Sequence, residues 1–179
     1  MVDIYPKVEV LGAGARGYLK MLLQNLYYVG YCMVPYATGS NGSNYYQYES
    51  SGTFDKYFYF KFYTLSTIKG KILPFPPYAK FRFDRESSEV YMKEITVKLQ
   101  KYEEGTWKTI SEVTYEGSFF TTHCIVALPS LLDDYEINNQ LRLYCIFKVA
   151  WSEATYPRWW RFYFTANSDD SYFMLPFQP

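Results

Sequence analysis

The sequence has a single histidine, His123, three cysteines and no net charge, with 18 Lys+Arg balancing 18 Asp+Glu. Each scarcity removes a class of function. A neutral chain lacks the basic excess with which nucleic-acid binders neutralise phosphates, so no nucleic-acid partner is expected. An odd number of cysteines cannot all pair in a disulfide framework. Cys32, Cys124 and Cys145 lack the close spacing of a metal site. His123 and Cys124 are adjacent and would point to opposite faces of a strand. Any Ser–His or Cys–His pair would have to use His123, and there is no G-x-S-x-G elbow. The longest apolar stretch, Leu19 to Met33, is interrupted by Lys20, Gln24 and Asn25. That is too short and too polar for a membrane helix, so no membrane partner is expected. The N-terminus shows no basic region followed by an apolar run, so no signal peptide is expected either.

Two further motifs fail for want of companions. Gly12-Ala-Gly14-Ala-Arg-Gly17 matches G-x-G-x-x-G, a pattern that lets backbone approach a pyrophosphate at a helix N-terminus. No Asp or Glu occurs between Glu9 and Glu49 to bind a ribose, and no alternating strand–helix units follow. A glycine-rich turn is the expectation there. The carboxylate clusters Asp133-Asp134-Glu136 and Asp169-Asp170 could supply a glycosidase pair, but they sit in turn-like sequence and lack the alternation of a calcium loop. Asn41-Gly42-Ser43 matches the glycosylation sequon and reads as loop chemistry without a secretory signal. The chain is expected to have no catalytic residues, no metal and no cofactor.

What the sequence has in excess is aromatic residues: 21 Tyr, 14 Phe and 4 Trp, or 22% of the chain. They lie on strand-like segments. In Lys93 to Lys101, Ile95, Val97 and Leu99 share one face, with Thr96, Lys98 and Gln100 opposite. Leu141 to Trp151 places Leu141, Leu143, Cys145, Phe147, Val149 and Trp151 together, against Arg142, Tyr144 and Lys148. Tyr57 to Tyr63 (YFYFKFY) is dense in β-formers and aromatic on both faces, which suggests that both faces are covered. Trp159 to Thr165 and Tyr172 to Leu175 complete the C-terminal strands, and Glu103-Glu104-Gly105-Thr106 reads as a hairpin loop. Arg16 to Val29 fits either a four-turn amphipathic helix or a strand pair around Gln24-Asn25, and the β surroundings favour strands. Thr38 to Tyr48 and the proline-rich Leu73 to Tyr78 read as loops.

About eight to ten strands at this spacing predict an all-β, antiparallel two-sheet β-sandwich. Residues 1–15 would form an arm or first strand and residues 16–179 a single domain. Trp151, Trp160, Phe162 and Phe164 fit inward positions. Tyr45, Tyr46 and Tyr48, in polar sequence, and Trp159, opposite the core-facing set, are the candidate contact residues. Tyrosine and tryptophan offer large rigid area with a polar tip, which suits subunit contacts or stacking on sugar rings.

The order of these segments resembles that of the jelly-roll-like β-sandwich structural proteins of viruses of bacteria and archaea. Arg16-Gly-Tyr-Leu-Lys-Met-Leu-Leu is similar to their first strand, and the segment from Phe60 to Ile72 to the next strand pair. Ile95-Thr-Val-Lys-Leu-Gln-Lys-Tyr with Gly105-Thr-Trp107 resembles their central hairpin. Asn139-Gln-Leu-Arg-Leu143 stands where they often carry Gly-Asp-x-Leu-x-Leu, and Arg161-Phe-Tyr-Phe and Asp170 to Pro176 resemble their closing strands. The resemblance implies a jelly-roll-like fold and a non-enzymatic virion component: capsid, decoration or tail-associated. It would be made in the host cytoplasm and would bind other copies of itself and other virion proteins. A carbohydrate- or receptor-binding module on the same fold, with glycans as partners, is the other expectation. Coplanar aromatics on one open face would favour sugar, and several separate patches would favour assembly.

Overall fold

The computed structural model describes residues 17–26, 30–35, 44–133, 135–165 and 170–179. They form eleven strands and, among the described residues, no helix. The strands are β1 (Gly17–Leu26), β2 (Gly30–Pro35), β3 (Tyr45–Thr64), β4 (Ile68–Ile72), β5 (Tyr78–Arg85) and β6 (Val90–Glu103). They continue with β7 (Thr106–Phe119), β8 (His123–Ala127), β9 (Tyr135–Asn139), β10 (Leu141–Tyr163) and β11 (Tyr172–Gln178). The ladders are antiparallel except β2–β3, so the all-β, mostly antiparallel expectation holds.

Two strands organise the rest. β3 has 20 residues and β10 has 23, and they pair from Tyr63–Arg142 to Tyr45–Tyr163. A straight ribbon of that length would reach about 66 Å, against a radius of gyration of about 16 Å for a compact chain of this size. It must therefore bend. The ladder breaks between Trp151 and Arg158, where Gly52 has φ 102° and Glu153 has φ 56°. Arg158 holds the bend: its Nε donates to Glu89 Oε2 at 2.6 Å, and its carbonyl accepts from Trp151 Nε1 at 2.9 Å. The guanidinium also keeps the Glu89 carboxyl below its usual pKa. Beyond the bend the ribbon lies back over itself, so that Trp160 stacks on Phe58 at 4.7 Å and Phe162 meets Phe60 at 4.9 Å.

Bending lets each long strand serve two parts of the one sheet. One edge of β10 pairs with β6 over Leu141–Trp151 and with β5 over Trp160–Tyr163. β10, β3, β2, β1, β11 and β5 close a six-stranded ring, with β6–β7, β4–β9 and β8 added outside it. Phenylalanine fills the interior: Phe60, Phe62, Phe81, Phe83, Phe147 and Phe162 are all at most 2% exposed. The predicted inward sets on β6 and β10 are buried, as are Trp151, Trp160, Phe162 and Phe164.

Several local expectations resolve here. Residues 17–26 form a strand, and Gln24 and Asn25 sit within it, paired with Cys32 and Tyr31, so the turn is not at those residues. Glu104 and Gly105 have φ of 52° and 78°, as a two-residue hairpin with both central residues left-handed requires. Tyr45–Tyr48 belong to β3 and not to the preceding loop. The proposed arm, the sequon Asn41-Gly42-Ser43, Gly12, Gly14, Asp134 and Asp169 lie outside the described residues.

Candidate functional site

Along β3 the strand period sorts phenylalanine from tyrosine. Phe58, Phe60 and Phe62 point inward, while Tyr57 and Tyr59 remain 43% and 56% exposed. The outer face of β3 was expected to be covered, but within this chain it is open. Pairing extends that face across the sheet. Tyr63 lies opposite Arg142, Lys61 opposite Tyr144, and Tyr57 opposite Lys148. One strand further, Arg142 faces Gln100, and the β6–β7 hairpin sets Trp107 beside Tyr102. Rings run across the face: Tyr57–Tyr59 at 6.3 Å with planes 21° apart, Tyr59–Tyr144 at 6.4 Å, and Tyr63–Trp107 at 5.4 Å. Cations lie among them, with Arg142 4.5 Å from the Trp107 ring and Lys61 4.9 Å from Tyr144.

A second aromatic patch occupies the outer face of the ribbon beyond the bend. Arg161 sits 4.4 Å from the Tyr45 ring and 4.1 Å from Trp159, a guanidinium held between two aromatic planes. Its Nε donates to Gln47 Oε1 at 2.7 Å. Tyr163 adjoins Tyr45 at 5.5 Å and carries Arg82 at 4.3 Å, which also pairs with Asp170 at 2.8 Å.

Of the four candidate contact residues, the fold brings two together on the surface, Tyr45 and Trp159. The other two face inward. Tyr46 packs edge-on against Phe58 and Phe60, and Tyr48 packs against Phe58 and Trp151. Burial raises the Tyr46 phenol above its ordinary pKa, with Tyr48 adding to the effect. The reason is parity: once β3 begins at Tyr45, alternate residues must point into the interior.

The candidate chemical groups are dispersed. His123 is exposed at the start of β8, opposite Arg82, and Cys124 pairs with Phe81 on the other face. No group of three metal-ligating side chains occurs among the described residues. Two surface cavities, one lined by Lys69, Lys71, Glu136 and Asn138 and one by Arg85, Ser88 and Tyr91, contain neither His123 nor a cysteine. Burial pushes the Cys32 thiol up to about 11 and raises those of Cys124 and Cys145. At pH 8 the native protein should therefore leave Cys32 and Cys145 unmodified by Ellman's reagent. All three thiols should react once guanidinium unfolds the chain. Rapid native labelling of Cys32 or Cys145 would contradict the burial.

No protein-family profile and no curated protein sequence matches the chain. Solved structures do match its fold. An α-amino acid ester hydrolase labelled with selenomethionine aligns with a TM-score of 0.55 at 10% identity, over 89% of this chain and 36% of the hydrolase. An aminopeptidase from the marine sediment archaeon Thaumarchaeota archaeon gives 0.55 at 9% identity, over 90% of this chain and 37% of the aminopeptidase. At such identities the likeness is one of fold alone. The chain spans a little over a third of the length of these structures.

Proposed function

We propose that this chain is a non-enzymatic structural component of a virus particle, a jelly-roll-like sandwich that assembles with copies of itself and with other virion proteins. The observation that carries the assembly reading is the Tyr45–Arg161–Trp159 stack on an outer face. Tyrosine, tryptophan and arginine are the residue types that dominate interface energetics. Here they are already stacked on one another, so burying them against a partner costs little further side-chain entropy. The sandwich part is supported by the bent β3–β10 ribbon, whose halves face each other through Phe58, Trp160, Phe60 and Phe162. The virion part rests on the sequence resemblance.

Light scattering coupled to size exclusion, over a concentration series, tests the assembly. The expected result is a discrete oligomer of trimer size or larger, or growth into particles. Tyr45→Ser combined with Trp159→Ser should weaken self-association by about 30-fold or more, the effect of losing one strong interface anchor. A strict 21.2 kDa monomer at every concentration would remove self-assembly from the reading.

A further inference from the structure

The outer face of β3, β10 and β6 is electrically uneven. Some of its cations are matched: Lys93 and Lys148 reach Asp55 at 3.0 and 3.7 Å, and Lys98, which faces Tyr144 across the ladder, reaches Glu112 at 3.2 Å. Two are not. Among the described residues, Lys61 and Arg142 form no ion pair with a carboxylate. Both flank one ring, with Lys61 Nζ 4.9 Å and Arg142 Cζ 5.6 Å from the centre of Tyr144. Arg142 is fixed further by Gln100, whose Oε1 accepts from its Nε at 2.7 Å. The complement to two unmatched cations is an anion.

The backbone narrows the kind of anion. Both edges of β10 are paired along this stretch, one with β3 and one with β6, so Arg142 and Tyr144 offer no free ladder group to an added strand, while the other edge of β3 is paired among the described residues only at Tyr63 and Thr64. A ligand lying over the face meets side chains: exposed ring surface at Tyr57 and Tyr59, phenol hydroxyls, and the two cations. A sugar ring carries an apolar C–H face that packs on aromatic rings and hydroxyls that hydrogen-bond to phenols. Sugars bearing carboxylate or sulfate groups supply the charge as well. We infer that this face, centred on Tyr59, Lys61, Arg142 and Tyr144, binds a linear anionic glycan. The site is separate from the Tyr45–Trp159 patch and does not depend on assembly.

Affinity electrophoresis of the full chain in gels containing polygalacturonate, heparin, dextran or polyglutamate tests this. Retardation by polygalacturonate, heparin or both is expected, and which of them binds identifies carboxylate or sulfate as the preferred group. Dextran should not retard the protein, and added salt should weaken binding. Lys61→Gln with Arg142→Gln, and separately Tyr57→Ser with Tyr59→Ser, should each raise the glycan dissociation constant at least tenfold. The tyrosine pair is exposed, so an unchanged melting curve will show that the fold survives. Failure of both anionic glycans to bind overturns the proposal. So does equal binding of polyglutamate with no effect of the tyrosine variant, which would make the face a site for acidic polypeptide.

Discussion

Phe60→Ala should destabilise the protein by about 3–5 kcal/mol, and Tyr59→Ala, one residue away, by less than about 1 kcal/mol. Phe60 is 2% exposed and touches the rings of Phe62, Phe147, Phe162 and Phe164, which come from both halves of the bent ribbon and the chain beyond it. Removing it opens a cavity where the two halves of the ribbon meet, and rings held by backbone on both sides cannot collapse to fill it. Tyr59 is 56% exposed on the outer face, with Tyr57 and Tyr144 as its ring neighbours. For a chain of this length the core variant should lose roughly 10 °C in Tm. Thermal and denaturant melts of the two variants check the difference. Equal losses would mean that β3 does not alternate as described, and the glycan-binding face would fail with it.

Gly70→Ala should cost about 3 kcal/mol or more, and the damage should be local. Gly70 lies in β4 with φ 155°, a conformation that side chains rarely adopt. A methyl group there would stand 2.4 Å from the carbonyl oxygen of Gln178 and 2.6 Å from the Phe177 ring. The carbonyl cannot retreat easily, because Phe177 and Gln178 pair with Ile72 and Lys71 in the same ladder. The strain is relieved by moving β4 away, together with β9, which pairs with it from Ile68–Asn139 to Ile72–Tyr135. Amide hydrogen exchange should therefore rise in Ile68–Ile72 and Tyr135–Asn139 while β3 and β10 keep their protection. Unchanged exchange in β4 and β9 would show that the close approach is absent. Gly105, also at positive φ, has open space around it, so Gly105→Ala carries only the backbone term, about 1 kcal/mol.

The strands and most of the core were legible in the sequence because strand periodicity is local. A residue two positions along points to the same side, so the buried faces of β6 and β10 follow from their own residues. The Glu104–Gly105 hairpin was legible for the same reason. The surface was less so. Tyr46 and Tyr48 looked like loop residues because the polar, glycine-rich run before them conceals where β3 begins. The outer face of Tyr57–Tyr63 looked two-sided and covered, although the alternation of hydroxyl-bearing tyrosine with phenylalanine was the available sign that one side meets water.

By itself, then, the sequence determined the β class, the alternation of each strand and the chemistry each face offers. Tertiary structure decided which faces come together. The bend in the β3–β10 ribbon, the meeting of Tyr45 with Trp159 and that of Lys61 with Arg142 join residues about 80 to 120 positions apart, and the β1–β11 ladder of the six-stranded ring joins residues 150 to 160 apart, from Leu22–Tyr172 to Gly17–Phe177. Such pairings depend on ladder register and on where the ribbon breaks, and nothing in a local window of sequence specifies either.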